Sequence, residues 1–277
     1  MKARAVKAIM RKDITAISSN IQLWLPMLIV PLIFSVVLPS ILILSARFAN
    51  MSKAGNLEAI LDLLSKLPAG TLRDKMLSFD TIEQQLVFFT ANYLFAPFFL
   101  LIPLMSASII GANSFAGEKE RKTMESLLFA PLDLPSLFGA KILAAFMPSI
   151  LLTIFCSLCY GIIVNVFAYP LFGTVIFPQG NWLVLLGWVT PALSLGAILL
   201  NVFISAKVKG FQEAYQLGGV VILPLLALII GQITGLLLVD SFFLWCFGTA
   251  LVLLDLYLFK RVERYFNRQQ LFTSQVR

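Results

Sequence analysis

Residues 86–112 read LVFFTANYLFAPFFLLIPLMSASIIGA, a run of 27 residues without one charged side chain. A helix of about 20 apolar residues crosses the roughly 30 Å hydrocarbon core of a bilayer, so this run predicts a membrane-spanning helix. A membrane β-barrel is a poor alternative, because its strands are segments of about 10 residues that alternate in polarity. The stretch therefore predicts an all-α membrane protein.

Five further apolar runs accompany this stretch. They are approximately Ile21–Ala46, Ile142–Phe167, Trp182–Ala206, Leu217–Val239 and Phe242–Phe259. The chain of 277 residues is 59% hydrophobic and 13% charged, whereas soluble domains have roughly 45–50% and 25%. We therefore predict one domain over residues 1–277 with about six transmembrane helices. This composition excludes a soluble enzyme, a disordered chain and a disulfide-rich secreted module.

The Lys and Arg residues are distributed unevenly around these runs. Of the 21, sixteen lie in segments 1–20, 113–141, 207–213 and 260–277, which fall on one side of the membrane. The other five lie in segment 47–85, where five acidic residues balance them. The positive-inside rule then places both termini in the cytoplasm, with 47–85 as an outer loop and 260–277 as a cytoplasmic tail. The net charge of +7 follows from this topology, so we predict no nucleic-acid partner.

Residues 1–20 have the pattern of an amphipathic helix. Apolar residues recur there at a spacing of three to four, namely Val6, Ile9, Met10, Ile14 and Ile17. Such a basic amphipathic helix lies in the membrane interface and binds anionic lipid. We predict an interfacial helix, with a plain basic flank of the first run as the alternative. Tyr169, Trp182 and Trp245, near the outer ends of their runs, are interpreted as interfacial anchors.

Segment 113–141 holds the densest cluster of charges in the chain. Residues 117–131 read GEKERKTMESLLFAP. Two i,i+4 pairs of opposite charge, Glu118/Lys122 and Arg121/Glu125, favour a helix. Leu127 and Leu128 contribute an apolar face. The pattern predicts a cytoplasmic helix that presents its charges to a soluble partner protein, and a solvated connector is the alternative.

This segment resembles the cytoplasmic signature of ABC-2-type permeases, the membrane subunits of a large class of ABC exporters (type V-like exporters). In that family a similar segment, G-E-[KR]-E-x-G-T-[LM]-E-x-L-L, follows the second span and forms the coupling helix that docks onto the ATPase subunit. The resemblance implies ATPase coupling for the residues at the matching positions, which are Gly117, Glu118, Lys119, Glu120, Arg121, Lys122, Glu125, Leu127 and Leu128. Lys122 departs from the pattern, because many members have glycine there. Residues 137–141, LFGAK, also resemble the family, in which a lysine commonly leads into the third span.

The resemblance implies a permease subunit of an ATP-driven exporter in the plasma membrane, acting as two copies or with a related subunit. The chain has no Walker A motif, G-x-x-x-x-G-K-[ST], the loop that holds nucleotide phosphates. We therefore expect no enzymatic activity and no cofactor in this chain, and expect ATP and Mg²⁺ on a separate ABC ATPase subunit. The alternative is a secondary transporter or channel without an ATPase, which predicts internal repeats and ionisable residues at mid-membrane.

Asp255 is the only charged residue well inside an apolar run. Intramembrane acids are functional candidates, so a cation or proton site is one interpretation. The other is an ion pair with a nearby basic side chain, or access to water at the interface. The chain has no histidine, which excludes an imidazole base and a histidine-ligated metal, and we predict no catalytic or metal site. The C-x-x-C pair Cys156 and Cys159 lies among apolar residues, which argues against redox chemistry.

Overall fold

The structure, a computed structural model, describes residues 2–48, 71–123, 134–234, 237 and 239–265. These residues form helices and no strands. Six of the helices in this described part are long and apolar enough to cross a membrane, and we call them span 1 to span 6. In chain order they are Leu23–Phe48, Ile82–Glu120, Ser136–Phe172, Gly180–Lys207, Phe211–Ile233 and Ser241–Val262. The predicted all-α fold with six spans is confirmed.

Span 2 is longer than the apolar run that predicted it. Its helix has 39 residues, about 58 Å at 1.5 Å per residue, and continues through the charged residues as far as Glu120. It begins after Thr81, whose side chain forms a capping box with Gln84. The preceding loop therefore ends a few residues before the predicted boundary at residue 85. Residues 49–70 of that loop lie outside the described residues, and Thr71–Leu77 form a short helix.

The N-terminal helix, Lys2–Ser18, occupies the predicted segment and packs along the beginning of span 3. Ile9 and Ile17 are buried in this contact region, whereas Lys7 and Arg11 are exposed. The helix is thus amphipathic, with its apolar face against the protein. Its position in the lipid interface and its contact with anionic lipid stay predictions.

Span 2 is the central helix of the bundle. In its most apolar window 78% of the residues are buried, against 22% in spans 1 and 6. Helices that are apolar on all sides are buried in this way. Gly111 brings span 2 close to span 4, since a Cβ added there would lie 3.4 Å from Cβ of Asn201. Span 2 therefore contacts most of the other elements and connects the two ends of the bundle.

Aromatic side chains cluster at one end of the bundle, which we call the aromatic end. Residues Thr90–Leu94 of span 2 form a π-helical turn, which interrupts the regular α-helical hydrogen bonds. The carbonyl of Asn92 accepts hydrogen bonds from Nδ2 of Asn181 at 2.7 Å and from Nε1 of Trp182 at 2.9 Å. The carbonyl of Ala91 accepts one from the Tyr160 hydroxyl at 2.7 Å. Side chains of spans 3 and 4 thus satisfy backbone groups of the irregular turn.

Trp182 is wholly buried at this end, so its interpretation as an interfacial anchor is wrong. Its ring centroid lies 4.8 Å from that of Phe99, 5.1 Å from that of Tyr160 and 4.7 Å from that of Phe177. Tyr169 and Trp245, by contrast, are more than half exposed, as interfacial anchors would be. A position near the end of an apolar run therefore does not distinguish a buried aromatic side chain from an exposed one.

Candidate functional site

The candidate site is the opposite end of the bundle, where the last turn of span 2 meets four other elements. We call it the charged end and define it by residues 117–123, Lys12, Lys141 and the turn 208–210. The sequence places Glu118, Lys119, Glu120 and Arg121 consecutively. Successive helical residues point about 100° apart, so the four side chains leave the helix in different directions. Each reaches a different structural partner.

Glu118 joins the N-terminal helix to the beginning of span 3. Its Oε1 lies 2.6 Å from Nζ of Lys12, and its Oε2 accepts a hydrogen bond from Nζ of Lys141. Lys141 also donates to the carbonyl of Ser114 at 2.6 Å. The side chains of Glu118 and Lys141 are 4% and 1% exposed, whereas that of Lys12 is 50% exposed. Glu118 and Lys141 therefore form a buried ion pair. Removal of either partner strongly destabilises the folded protein.

Lys119 and Glu120 bind the two sides of the turn between spans 4 and 5. Nζ of Lys119 donates to the carbonyl of Val208 at 2.9 Å, just beyond the end of span 4. Oε2 of Glu120 accepts from the backbone N–H of Phe211 at 2.9 Å, at the first residue of span 5. A cation at a helix C-terminus and an anion at a helix N-terminus both complement the helix dipole. The pair thus fixes the end of span 2 to the ends of spans 4 and 5.

The Glu120 contact depends on a glycine. A Cβ added at Gly210 would lie 2.7 Å from Oε2 of Glu120, whereas one added at Gly219 would meet open space. Gly210→Ala is expected to displace Glu120 from the N–H of Phe211 and to lower the free energy of unfolding by about 1–2 kcal/mol. Gly219→Ala is the matched control and is expected to have a smaller effect. Thermal unfolding in detergent measures both, and equal midpoints for the two variants would contradict the contact.

Arg121 and Lys122 end the helix and face solvent. Nη2 of Arg121 lies 3.4 Å from Oδ1 of Asn113, which is eight residues earlier at the start of the π-helical turn Asn113–Gly117. Lys122 has a φ of +56°. The N–H of Thr123 donates to the carbonyl of Glu118 at 3.0 Å, and the N–H of Lys122 to that of Lys119 at 3.1 Å. These two hydrogen bonds, together with the left-handed backbone of Lys122, form a Schellman motif, which commonly ends an α-helix.

The predicted helix from Glu118 onward is therefore corrected. The i,i+4 pair between Glu118 and Lys122 is wrong, because the helix ends at Glu120 and Glu118 binds Lys12 and Lys141 instead. Gly117 and Glu118 are buried, so they do not present a surface to a soluble partner. Glu125, Leu127 and Leu128 lie outside the described residues. Of the predicted coupling residues, Glu120, Arg121 and Lys122 are exposed.

Asp255 lies apart from the charged end, within span 6. Its side chain is 4% exposed, and neither carboxyl oxygen has a hydrogen-bond partner among the described residues. In the same part of the chain no group of three or more His, Cys, Asp or Glu residues is placed to hold a metal ion. An ion pair with Lys260 or Arg261 is thus not seen, although both follow closely in the sequence.

The comparison with protein families decides the class of the chain. A family model described as "ABC-2 family transporter protein" matches residues 40–247, three quarters of the chain. The chain belongs to the ABC-2 transporter family. No curated protein and no solved structure matches it.

Membership in the ABC-2 transporter family makes the chain a permease component of an ABC transporter. The matched region begins in span 1 and ends in span 6, so it includes the whole of span 2 and the charged end apart from Lys12. ABC-2 permeases are membrane components and generally not catalytic themselves. The resemblance found in residues 117–128 is therefore confirmed at the level of the family.

The backbone geometry at Lys122 fits the glycine that the signature described above has at this position. The left-handed backbone there is one that glycine adopts freely and that costs other residues roughly 1–2 kcal/mol. Lys122→Gly is expected to raise the free energy of unfolding by about 0.5–1 kcal/mol, after the greater entropy of glycine in the unfolded chain is deducted. Denaturant titration in detergent measures this gain. A loss of stability would show that Lys122 contributes a contact that outweighs its backbone conformation.

The family signature alone did not identify all residues of the charged end. Lys12 was predicted only as part of a basic helix face, and Lys141 only as a lysine leading into span 3. Asn113 and Gly210 were not singled out. The position of Lys141 next to a long apolar run is the one feature that indicates the ion pair, because a buried cation requires an acidic partner. The sequence offers no comparable signal for Gly210.

Proposed function

We propose that this chain is the membrane subunit of an ATP-driven exporter, and that a separate ABC ATPase drives it through the charged end. Two copies, or one copy and a related subunit, surround the transport pathway. ATP and Mg²⁺ bind to the ATPase subunit, in keeping with the missing Walker A motif. We place the chain in the plasma membrane, and the distribution of basic residues supports an orientation with both termini and the charged end in the cytoplasm.

The contacts made by residues 118–120 support this function. Three consecutive side chains bind the N-terminal helix and span 3, the end of span 4, and the beginning of span 5. A force applied to the adjoining exposed residues therefore acts on four elements at once. Packed interfaces shift between discrete arrangements and do not deform continuously. Such a junction is suited to convert closure of two ATPase subunits into a change of access.

The exposed and buried charges have separate roles in this proposal. Arg121 and Lys122 lie at the solvent side of the junction and supply positive charge to an ATPase surface. Glu118 and Lys141 lie inside and hold the junction together. Charge reversal at Glu118 would therefore test folding, whereas charge reversal at Arg121 and Lys122 tests docking.

The experiment pairs the chain with an ATPase encoded by a neighbouring reading frame that carries a Walker A motif. The proposal predicts a purified complex with two copies of the ATPase, measured by native mass. It also predicts that ATP changes the rate at which a membrane-impermeant thiol reagent labels a cysteine introduced in place of Ile233. Ile233 is exposed and lies at the end of span 5. The chain without ATPase, in vesicles with an ion gradient, is the control. Ion or solute flux by the chain alone, with no effect of ATP on labelling, would favour the secondary transporter or channel.

A further inference from the structure

A second site lies between spans 4 and 6, where Asp255 is buried away from the charged end. Asp255 precedes Val262, the last residue of span 6, by seven residues, or roughly 10 Å of helix. Its side chain is 4% exposed, and both carboxyl oxygens lack a hydrogen-bond partner among the described residues. An isolated carboxylate ion in apolar surroundings is so costly that proteins neutralise it. Something must therefore neutralise this group.

Among the residues that the structure describes, the surroundings of Asp255 offer no cation. Its Oδ1 lies against span 4 at Gly196, where an added Cβ would be 2.7 Å away. Span 4 is the element packed most extensively on span 6, and between Gly180 and Ala206 it carries no titratable side chain. Lys207 follows Gly196 by eleven residues, roughly 16 Å along the helix.

The charged and titratable groups of span 6 itself face elsewhere. Lys260 and Arg261 are exposed, and Nη1 of Arg261 donates to the hydroxyl of exposed Tyr257 at 2.8 Å. Cys246 lies nine residues before Asp255 and is also exposed. These groups therefore do not provide the missing counter-charge.

A proton fits this site better than a metal ion does. Hard cations such as Ca²⁺ and Mg²⁺ take about six or more oxygen ligands. Here a single carboxyl group is pressed against a glycine backbone, and no cluster of acidic residues accompanies it within the described part of the chain. We propose that Asp255 is an intramembrane proton-binding site that is occupied when spans 4 and 6 pack as they do in this structure.

This site links protonation to the packing of the two spans. Any motion that separates span 6 from Gly196 admits water to the carboxyl group and allows the proton to leave. Because a ligand shifts an equilibrium toward the arrangement that binds it better, protons favour the packed arrangement. The link is reciprocal, so the packed arrangement also holds the proton more firmly.

Infrared spectroscopy of the purified full-length chain in lipid tests the proposal directly. A protonated carboxyl group has a carbonyl stretching band that is separate from the bands of a carboxylate. The wild type is expected to show such a band at neutral pH, and Asp255→Asn is expected to lack it. Asparagine is a neutral group of the same shape, so this variant should fold with an unchanged unfolding midpoint. Identical acid bands in the two proteins would overturn the proposal.

Carbodiimide labelling gives a second test that does not depend on the asparagine variant. Dicyclohexylcarbodiimide enters apolar sites and adds to protonated carboxyl groups, and peptide mass spectrometry locates the adduct. Labelling of Asp255 is expected in the wild type, and it should decline as the pH is raised. Gly196→Ala, which forces the carboxyl group to move, should change the labelling rate. Gly187→Ala, also in span 4 but next to open space, should not. No adduct at Asp255 at any pH would contradict the proposal.

Discussion

Glu118→Gln is expected to lower the free energy of unfolding by about 3–5 kcal/mol. The substitution preserves the shape of the side chain but removes its charge. Lys141, which is 1% exposed, then loses the charge of the Glu118 carboxylate inside the protein. Unfolding by SDS titration in mixed micelles measures the change. In cells the same effect is expected as a much reduced yield of folded protein.

Two further variants separate the buried pair from the exposed one. Lys12→Gln removes only the half-exposed partner of Glu118, so its cost should be less than about 1 kcal/mol. The double variant Glu118→Gln/Lys141→Met removes both buried charges and should recover much of the lost stability. Equal losses from Glu118→Gln and Lys12→Gln, or no recovery in the double variant, would contradict the buried ion pair.

Trp182→Ala is expected to cost about 3–5 kcal/mol at the other end of the bundle. The indole ring is wholly buried between Phe99, Tyr160 and Phe177. Its removal leaves a large cavity and also deletes the hydrogen bond from Nε1 to the carbonyl of Asn92. Thermal unfolding of the variant in detergent, followed by tyrosine and residual tryptophan fluorescence, gives the shift of the midpoint.

Two tryptophan variants control for this interpretation. Trp182→Phe keeps most of the ring volume and loses the donor, so it should cost about 1 kcal/mol beyond the change in packing. Trp245→Ala removes a ring that is 51% exposed, and its effect in detergent should be small. A Trp245→Ala variant as unstable as Trp182→Ala would mean that burial of Trp182 is not the source of the effect.

The spans were predictable because the bilayer imposes one strong requirement, a long apolar helix. Their ends were less predictable. Span 2 continues through Glu118 to Glu120 because helical hydrogen bonding does not end where apolar residues end. Span 5 begins at Phe211, six residues before the apolar run. Glu120, from another part of the chain, accepts the hydrogen bond of the Phe211 N–H at this helix start. Distant contacts of this kind leave no local pattern.

The charged segment was recognised from sequence, but the roles of its residues were not. The i,i+4 spacing of Glu118 and Lys122 favoured an exposed helix, since local pairing is the only pairing that one segment reveals. In the structure Glu118 binds Lys12 and Lys141, which lie 106 and 23 residues away. The same limit applies to Trp182, whose environment depends on the carbonyl of Asn92, 90 residues earlier.

The proposed function requires the ATPase to dock at the exposed cations of the charged end. Binding of the purified ATPase to purified variants of this chain measures this docking. Arg121→Glu/Lys122→Glu is predicted to weaken that binding roughly tenfold or more, which corresponds to at least about 1.4 kcal/mol. Lys260→Glu, also an exposed charge reversal, is predicted to leave binding within about twofold. Wild-type affinity in the well-folded Arg121→Glu/Lys122→Glu variant would show that the ATPase does not dock at these two residues.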